Sequence, residues 1–423
     1  MDRELCVSLL DMVMSYSRVS DLVSPTVADH QLRTAYIASH ISGEVDLPLE
    51  KRNELLFAAA LHDCGAFSLK ERLTCLRFDF EPGEHDRHCE VGYKILRKFR
   101  LFSPLATLVR YHHVPWNGGK GLELKGEEVP LGSHILHLAD RVDVLTDRNQ
   151  PILRQGRSIC DTIEEQSGKK FAPKLVEAFN SLAAKESFWL GIAGKSGSSL
   201  VAPREGLAAS ELRLDDLFGL AQLFGQLVDF RNRFTATHTN TVTAVADTLA
   251  RHIGFSEDEC KQMRFAGLLH DVGKLAVPAE VLDKPAKLTE DDWDLIRSHP
   301  YYTHDFLEPI RGLETIKTWA SLHHERLDGN GYPFHRKADG LPLGSRIVAV
   351  AEVLTALTED RPHRKGMSSK LALQVMQQMV DSSALDPHIV SLVKLNCEEF
   401  DCIRASAGAA EFADYQEIAK ETE

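Results

Sequence analysis

The sequence has no apolar run that approaches the ~18–20 residues of a membrane-spanning helix, and its N-terminus lacks a signal-peptide core followed by a cleavage site. It also has no C-x-x-C pair, and its eight cysteines are scattered, as free thiols in a reducing compartment are. Basic residues do not predominate, because 49 Lys and Arg stand against 62 Asp and Glu, for a net charge of −13. Such a charge argues against binding to the backbone of bulk nucleic acid. We therefore expect a cytoplasmic protein with neither a membrane partner nor a bulk nucleic-acid partner.

A strand pattern is also missing, and helical spacing takes its place. No segment shows convincing β-alternation or a hairpin signal, whereas apolar residues recur every three or four positions over 29–41 and 220–253. Thr289 precedes a run of acidic residues and predicts a helix N-terminus there. We predict an all-α fold.

The chain repeats itself. FAAALHDCG at 57–65 matches FAGLLHDVG at 265–273, and PLGSHI at 130–135 matches PLGSRI at 342–347. Between the copies, 186–210 is rich in Gly, Ser and Ala, which is typical of a linker. Its GKSGSS follows no strand pattern and is therefore not read as a phosphate-binding loop. We predict two tandem helical bundles joined by a linker, with domains over 1–195 and 196–423.

Ten of the nineteen histidines share one frame in the two copies. His30 and His62 are 32 residues apart, and so are His238 and His270. A single helical histidine is more often a core or surface residue than a ligand, but the joint pattern is hard to explain as two cores. The frame of the second copy consists of His238, His270, Asp271, His299, His323, His324 and Glu352. The frame of the first copy consists of His30, His62, Asp63, His88, His112, His113 and Asp140.

Imidazoles and carboxylates in this arrangement are typical ligands for a pair of divalent metal ions. Adjacent residues on a helix point about 100° apart, so His270 and Asp271 serve one ion poorly but serve two ions if the carboxylate bridges them. Two ions ~3.5–4 Å apart activate a bridging water and hold both oxygens of a phosphoryl displacement. A ligand set without thiolate indicates Fe, Mn, Zn or Ni.

The second copy resembles the HD-GYP branch of the HD phosphohydrolase superfamily over about 225–395. The matching pieces are His238, His270-Asp271, Gly273-Lys274, His299, His323-His324-Glu325 and the DGNGYP segment at 328–333. The resemblance implies a helical bundle that hydrolyses a cyclic dinucleotide to the linear dinucleotide by attack of a metal-bridging hydroxide. Cyclic di-GMP is the typical substrate, and the tandem arrangement also resembles enzymes for 3',3'-cyclic GMP-AMP.

The same resemblance assigns roles to residues of the second copy. It implies metal ligation by the seven frame residues, with Fe or Mn favoured over Zn or Ni, and catalytic roles for Asp271 and Lys274. It implies nucleotide contacts by Tyr332, Arg361 and Arg364. Two departures bear on the metal. Glu352 stands where the family usually has Asp, and Phe234 stands where members with three metals have Glu, so we predict two ions.

The first copy keeps the frame residues but lacks the lysine, the GYP segment and the two arginines of the second copy. Ala66 stands at the place of Lys274, and HHVPWNGGKG replaces HHERLDGNGYP. Asn149 and Ile152 stand at about the places of Arg361 and Arg364. We therefore predict that the second copy performs hydrolysis, whereas the first holds a possible second metal site and has a structural or regulatory part.

Two alternatives stay open. The degenerate first copy and Glu352 favour a non-catalytic module that binds a cyclic dinucleotide or a partner protein. A hydrolase of nucleoside triphosphates or alarmones is a further alternative, although the HHE and GYP segments argue against it. A homodimer or a signalling-protein partner is compatible with either.

Overall fold

A computed structural model of the protein describes residues 7–78, 86–194, 212–231, 237–360 and 365–407. The chain divides into two compact units, Ser8–Glu211 and a unit that includes Leu212–Glu423, which we call the first and the second domain. The predicted boundary between residues 195 and 196 lies outside the described residues and stays a prediction.

Helices make up nearly all regular structure in the described part of the first domain. In chain order they are α1 (Leu9–Asp21), α2 (His30–Glu44), α3 (Leu49–Leu61), α4 (Leu69–Cys75), α5 (Asp86–Leu96), α6 (Ser103–Arg110), α7 (Leu131–Val144), α8 (Ile152–Glu165), α9 (Pro173–Ala183) and α10 (Glu186–Ala193). A 3₁₀ helix (Asn117–Leu122) and a small antiparallel hairpin, β1 (Glu123–Leu124) and β2 (Glu127–Glu128), lie between α6 and α7.

All regular structure in the described residues of the second domain is helical. Its helices are α11 (Leu214–Asp229), α12 (His238–Ile253), α13 (Glu257–Leu269), α14 (Ala279–Leu282), α15 (Glu290–Arg297), α16 (His299–Leu307), α17 (Glu314–Ser321), α18 (Leu343–Thr358), α19 (Ser369–Asp381), α20 (Pro387–Leu395) and α21 (Cys397–Ala407). Short 3₁₀ helices occupy Val272–Ala276 and Ala338–Gly340.

The predicted all-α fold is confirmed, apart from one small hairpin. The hairpin has only two residues in each strand, too few for alternation to register, and Lys125 and Gly126 turn it with positive φ. The predicted linker, 186–210, differs from the structure at its start, because Glu186–Ala193 form α10, which buries Phe188 and Trp189. The predicted N-cap is correct, because the hydroxyl of Thr289 accepts a hydrogen bond from the backbone N–H of Asp292.

Each domain is organised around one buried helix that begins with a frame histidine. Helix α2 packs against α3 and α7, and α12 packs in the same way against α13 and α18. A buried carboxylate fixes each start, since Asp21 accepts from the N–H of Gln31 at 2.9 Å and Asp229 from that of Thr239 at 3.0 Å. These two helices set the positions from which the frame is built.

Among the described helices, none is both long enough and apolar enough to cross a bilayer.

Candidate metal centres

The seven frame residues of the second domain converge at one point from the ends and middles of different helices. His238 is the first residue of α12, and His299 is the first residue of α16. His270 follows the end of α13, and Asp271 precedes the 3₁₀ helix, so this pair lies at a junction rather than within a helix. His323 and His324 follow α17, and Glu352 lies within α18.

Asp271 stands between two groups of ligand atoms. Its Oδ2 atom lies 3.2 Å from Nε2 of His270 and 3.6 Å from Nε2 of His238. Its Oδ1 atom lies 3.2 Å from Nε2 of His299 and 3.9 Å from Nε2 of His323. Each carboxylate oxygen therefore faces its own set of imidazoles, which is the arrangement that a bridging carboxylate requires.

In four of these histidines the Nδ1 atom contacts a hydrogen-bond acceptor that is not one of the seven frame residues. In three of them Nδ1 donates to the backbone carbonyl three residues earlier. The pairs are His270 with Gly267 at 2.7 Å, His299 with Ile296 at 2.6 Å, and His323 with Ala320 at 2.6 Å. In His238 the Nδ1 atom lies 2.8 Å from Oε2 of Glu359. These bonds direct the Nε2 atoms into the site and set the tautomer that a metal ligand needs.

The interior of the site contains polar atoms that the described residues leave without hydrogen bonds. They are Nε2 of His238, Nε2 of His270, Oδ1 of Asp271 and Oε2 of Glu352. Buried polar atoms without partners are costly, and here they converge on one another with donor types that first-row divalent metals prefer. The residues therefore fit a divalent metal centre.

In the metal-free site, positive charge on the imidazoles offsets the negative charge of the carboxylates. Burial lowers the pKa of His238, but the carboxylates of Glu352 and Glu359 outweigh it and hold that pKa well above its ordinary value. In the same way burial is outweighed at His270, where Asp271 and Glu352 raise the pKa to about 9. Protons on the imidazoles thus balance the carboxylates that a divalent cation balances when it binds.

A lysine and a tyrosine border this centre. The Nζ atom of Lys274 lies 2.5 Å from Oδ2 of Asp271 and is partly exposed. The ring of Tyr332 stacks on that of His324 with centroids 4.9 Å apart and planes at 28°. Both predicted residues therefore lie beside the frame. Arg361 and Arg364, together with Phe234, lie outside the described residues.

A buried glutamate that the sequence analysis left without a role shapes the loop that carries Tyr332. We call residues 328–336 the GYP loop. The carboxylate of Glu325 accepts from the N–H of Phe334 at 2.7 Å and from the N–H of Arg336 at 3.0 Å. Gly331 lies so close to this glutamate that a Cβ would stand 2.5 Å from its Cα. The HHE motif thus combines two candidate ligands with the support of the loop.

Gly273 explains the glycine of the HD-x-G motif. A Cβ at this position would stand 2.0 Å from the carbonyl oxygen of His299 and 2.5 Å from the N of Thr303. In the first domain, a Cβ on Gly65 would stand 2.1 Å from the carbonyl oxygen of His88. The glycine permits two backbones to approach, and this approach brings His299 to Asp271.

The first domain brings its own seven frame residues together in a related arrangement. Nε2 of His30 lies 3.3 Å from Oδ1 of Asp140, and Nε2 of His88 lies 3.5 Å from Oδ1 of Asp63. His62 again donates from Nδ1 to a carbonyl three residues earlier, at 2.8 Å. The repeated histidine frame therefore corresponds to a repeated three-dimensional cluster.

Two differences separate the first cluster from the second. The guanidinium of Arg141 donates to Oδ2 of Asp140 at 2.6 Å, whereas Val353 follows Glu352 in the second domain. Two thiols also border the first cluster, because Sγ of Cys89 lies 3.5 Å from Nε2 of His88 and Sγ of Cys75 lies 3.7 Å from its Nδ1. Neither cysteine forms a C-x-x-C pair, so the sequence pattern does not indicate a role for either.

Two family models, both described as the HD domain, match residues 27–145 and 222–389. The 3'3'-cGAMP-specific phosphodiesterase 1 of Vibrio cholerae is 29% identical over 418 residues, covering 96% of each chain. A cyclic di-GMP phosphodiesterase of Pseudomonas aeruginosa is 36% identical over 159 residues, which are 37% of this chain and 38% of that protein. A crystal structure of a V. cholerae cyclic GMP-AMP-specific phosphodiesterase has a TM-score of 0.65 and 26% identity, and the match covers 95% of this chain and 98% of that one.

Proposed function

Because this chain belongs to the HD-domain family and carries two HD domains in tandem, we propose that it is a metal-dependent phosphodiesterase that opens a cyclic dinucleotide to the linear dinucleotide. The observation that carries the proposal is the position of Asp271, whose two oxygens face two separate sets of imidazoles in a buried site. The second domain is the catalytic one.

Two divalent ions per active site are the number that this geometry supports. His238, His270 and Glu352 lie on the Oδ2 side of Asp271. His299, His323 and His324 lie on its Oδ1 side. Bound ions supply Lewis-acid activation of the phosphate and a nucleophile at neutral pH. Fe and Mn suit this nitrogen and oxygen ligand set, and Zn and Ni suit it next.

Lys274 supplies positive charge at the mouth of the site. Its ammonium is held on Asp271 and is partly exposed, so it can meet a phosphate that approaches the centre. The backbone turn that carries it is fixed by Arg231, whose guanidinium donates to the carbonyls of Lys274 and Leu275 at 2.9 Å each. A preorganised cation is most effective where negative charge develops on the scissile phosphate.

The GYP loop forms the other wall of the entrance. Tyr332 is held by stacking on His324, and Glu325 fixes the loop backbone from behind. An aromatic ring in this position offers a face for a nucleobase or ribose of the substrate. We propose that Arg361 and Arg364 contact the nucleotide as well.

Among cyclic dinucleotides, 3',3'-cyclic GMP-AMP is the favoured substrate. A relative that matches over nearly the whole chain is named for that dinucleotide, whereas a cyclic di-GMP relative matches only over a part of the chain.

The first domain does not hydrolyse the substrate. It has Ala66 where Lys274 stands, and Arg141 already compensates the charge of Asp140. An Ala66→Lys variant should therefore not restore turnover to a protein whose second domain has been inactivated.

The test is turnover of 3',3'-cyclic GMP-AMP and cyclic di-GMP side by side. The protein is purified without oxygen, stripped of metal and reconstituted with Fe(II) or Mn(II). We expect metal-dependent formation of the linear dinucleotide, with the mixed dinucleotide preferred. Tight binding of either dinucleotide without turnover in any metal would instead identify a sensor.

A further inference from the structure

The imidazole set of the first domain has gained a thiol. His88, His112 and His113 stand at the places of His299, His323 and His324, and Cys89 stands at the place of Pro300. Although the two residues are adjacent at the start of α5, Sγ of Cys89 lies only 3.5 Å from Nε2 of His88, so both can face one ion. One ligand atom from each of Cys89 and the three histidines can be chosen so that all four lie within 4.8 Å of one another, and all four residues are buried.

Two of these spacings match the edges of a zinc tetrahedron. With Zn–N bonds of about 2.0–2.1 Å and Zn–S bonds of about 2.3 Å, a tetrahedral ion sets N–N edges of about 3.3 Å and S–N edges of about 3.5 Å. The Nε2 atoms of His88 and His112 are 3.3 Å apart. His112 donates from Nδ1 to the carbonyl of Val109 at 2.6 Å, which leaves Nε2 as its ligand atom. The backbone bond thus points Nε2 of His112 at His88, and Sγ of Cys89 lies beside the same ring, 3.5 Å from Nδ1.

The opposite half of the first frame already contains fixed positive charge. The guanidinium of Arg141 holds Asp140 at 2.6 Å, and Asp143 pairs with Arg33 while it contacts Nδ1 of His30 at 2.7 Å. Fixed guanidinium groups therefore supply the positive charge that the second domain lacks beside Glu352.

We propose that the first domain binds a single zinc ion through His88, Cys89, His112 and His113. Thiolate ligation selects a softer metal than the nitrogen and oxygen ligands of the second domain, so the two centres differ in both number and kind of metal. On binding, the thiol of Cys89 loses its proton to solvent and a Zn–S bond forms. The ion joins the start of α5 to the turn after α6 and so has a structural part, which is independent of turnover in the second domain.

Cobalt substitution tests the proposal without any activity measurement. Metal-free protein is titrated with Co²⁺, and the thiolate-to-cobalt charge-transfer absorption is recorded together with the metal content of the zinc-loaded protein. The wild type is expected to show this absorption. A Cys89→Ser variant is expected to lose it and to hold one zinc ion fewer per chain.

The matched control is Cys160→Ser, which removes a half-buried thiol on α8 of the same domain. It should keep both the absorption and the full zinc content. Absence of the absorption in the wild type overturns the proposal without reference to any variant. Persistence of the absorption in Cys89→Ser, or an unchanged zinc content in it, overturns the assignment of Cys89 as a ligand.

Discussion

Nζ of Lys274 lies 2.5 Å from Oδ2 of Asp271, the carboxylate that stands between the two imidazole sets of the second domain. In the first domain the equivalent aspartate, Asp63, has Ala66 three residues later and no such cation. The two domains thus share a ligand frame and differ in the charge beside this aspartate, and this difference supports the proposed division of labour.

Replacement of Lys274 by Ala should lower kcat by about 10²–10³-fold, because a preorganised charge on the developing oxyanion is removed. Metal content should stay unchanged, since the lysine is not a ligand. Steady-state kinetics and metal analysis of the same preparation check both points. A variant that loses its metal along with its activity would show instead that Lys274 acts by stabilising the centre.

The metal-free protein should become less stable as the pH rises from 6.5 towards 9. The pKa of His270 is raised to about 9 in the folded chain, against an ordinary value of 6.5, because Asp271 and Glu352 outweigh the effect of burial. Its contribution to the free energy of unfolding is therefore complete below about pH 6.5 and is lost as the pH passes through about 9. Thermal unfolding of the metal-free second domain within the full chain measures this.

The same groups predict that metal uptake releases protons, so affinity for Mn²⁺ should rise with pH. The control is His270→Gln, in which the pH dependence of the metal-free protein should be smaller. A melting temperature of the metal-free wild type that is flat or rises over this window would contradict the charge balance derived from the site.

A Glu325→Gln substitution should disturb the GYP loop more than the metal centre. An amide has one acceptor oxygen, so it cannot serve the N–H groups of both Phe334 and Arg336. Loss of one hydrogen bond to a charged group costs about 1.5–3 kcal/mol, and we expect KM to rise by about tenfold or more. Metal content measured on the same sample should match the wild type, and a loss of metal without a change in KM would contradict this role.

A methyl group on Gly273 should separate α16 from the Asp271 turn. The added Cβ would meet the carbonyl of His299 at 2.0 Å, and overpacking of this kind costs about 1–3 kcal/mol or more. Gly273→Ala should therefore lower both the melting temperature and the metal content. The control is Gly340→Ala in the same domain, where the nearest atom would lie 3.8 Å from the new Cβ. Equal behaviour of the two variants would show that the close approach is not needed.

The sequence was sufficient for the all-α fold, because apolar residues recur at helical spacing, and for the repeat, because the spacing between histidines survives in both copies. It was not sufficient for contacts that depend on how separate helices meet. Glu359, which lies 2.8 Å from Nδ1 of His238, follows the end of α18 and is 121 residues away in sequence, and no local pattern indicates it. Cys89 is adjacent to His88 in sequence, yet only the packing of α5 against the turn after α6 brings its thiol to His112.

The central claim is that hydrolysis takes place in the second domain alone, and a matched pair of substitutions tests it most directly. Asp271→Ala and Asp63→Ala remove equivalent carboxylates from the two frames. With 3',3'-cyclic GMP-AMP and Mn(II), we expect Asp271→Ala to abolish turnover and Asp63→Ala to retain it. Full turnover by Asp271→Ala, or loss of turnover in Asp63→Ala with its second-domain metal intact, would contradict the account.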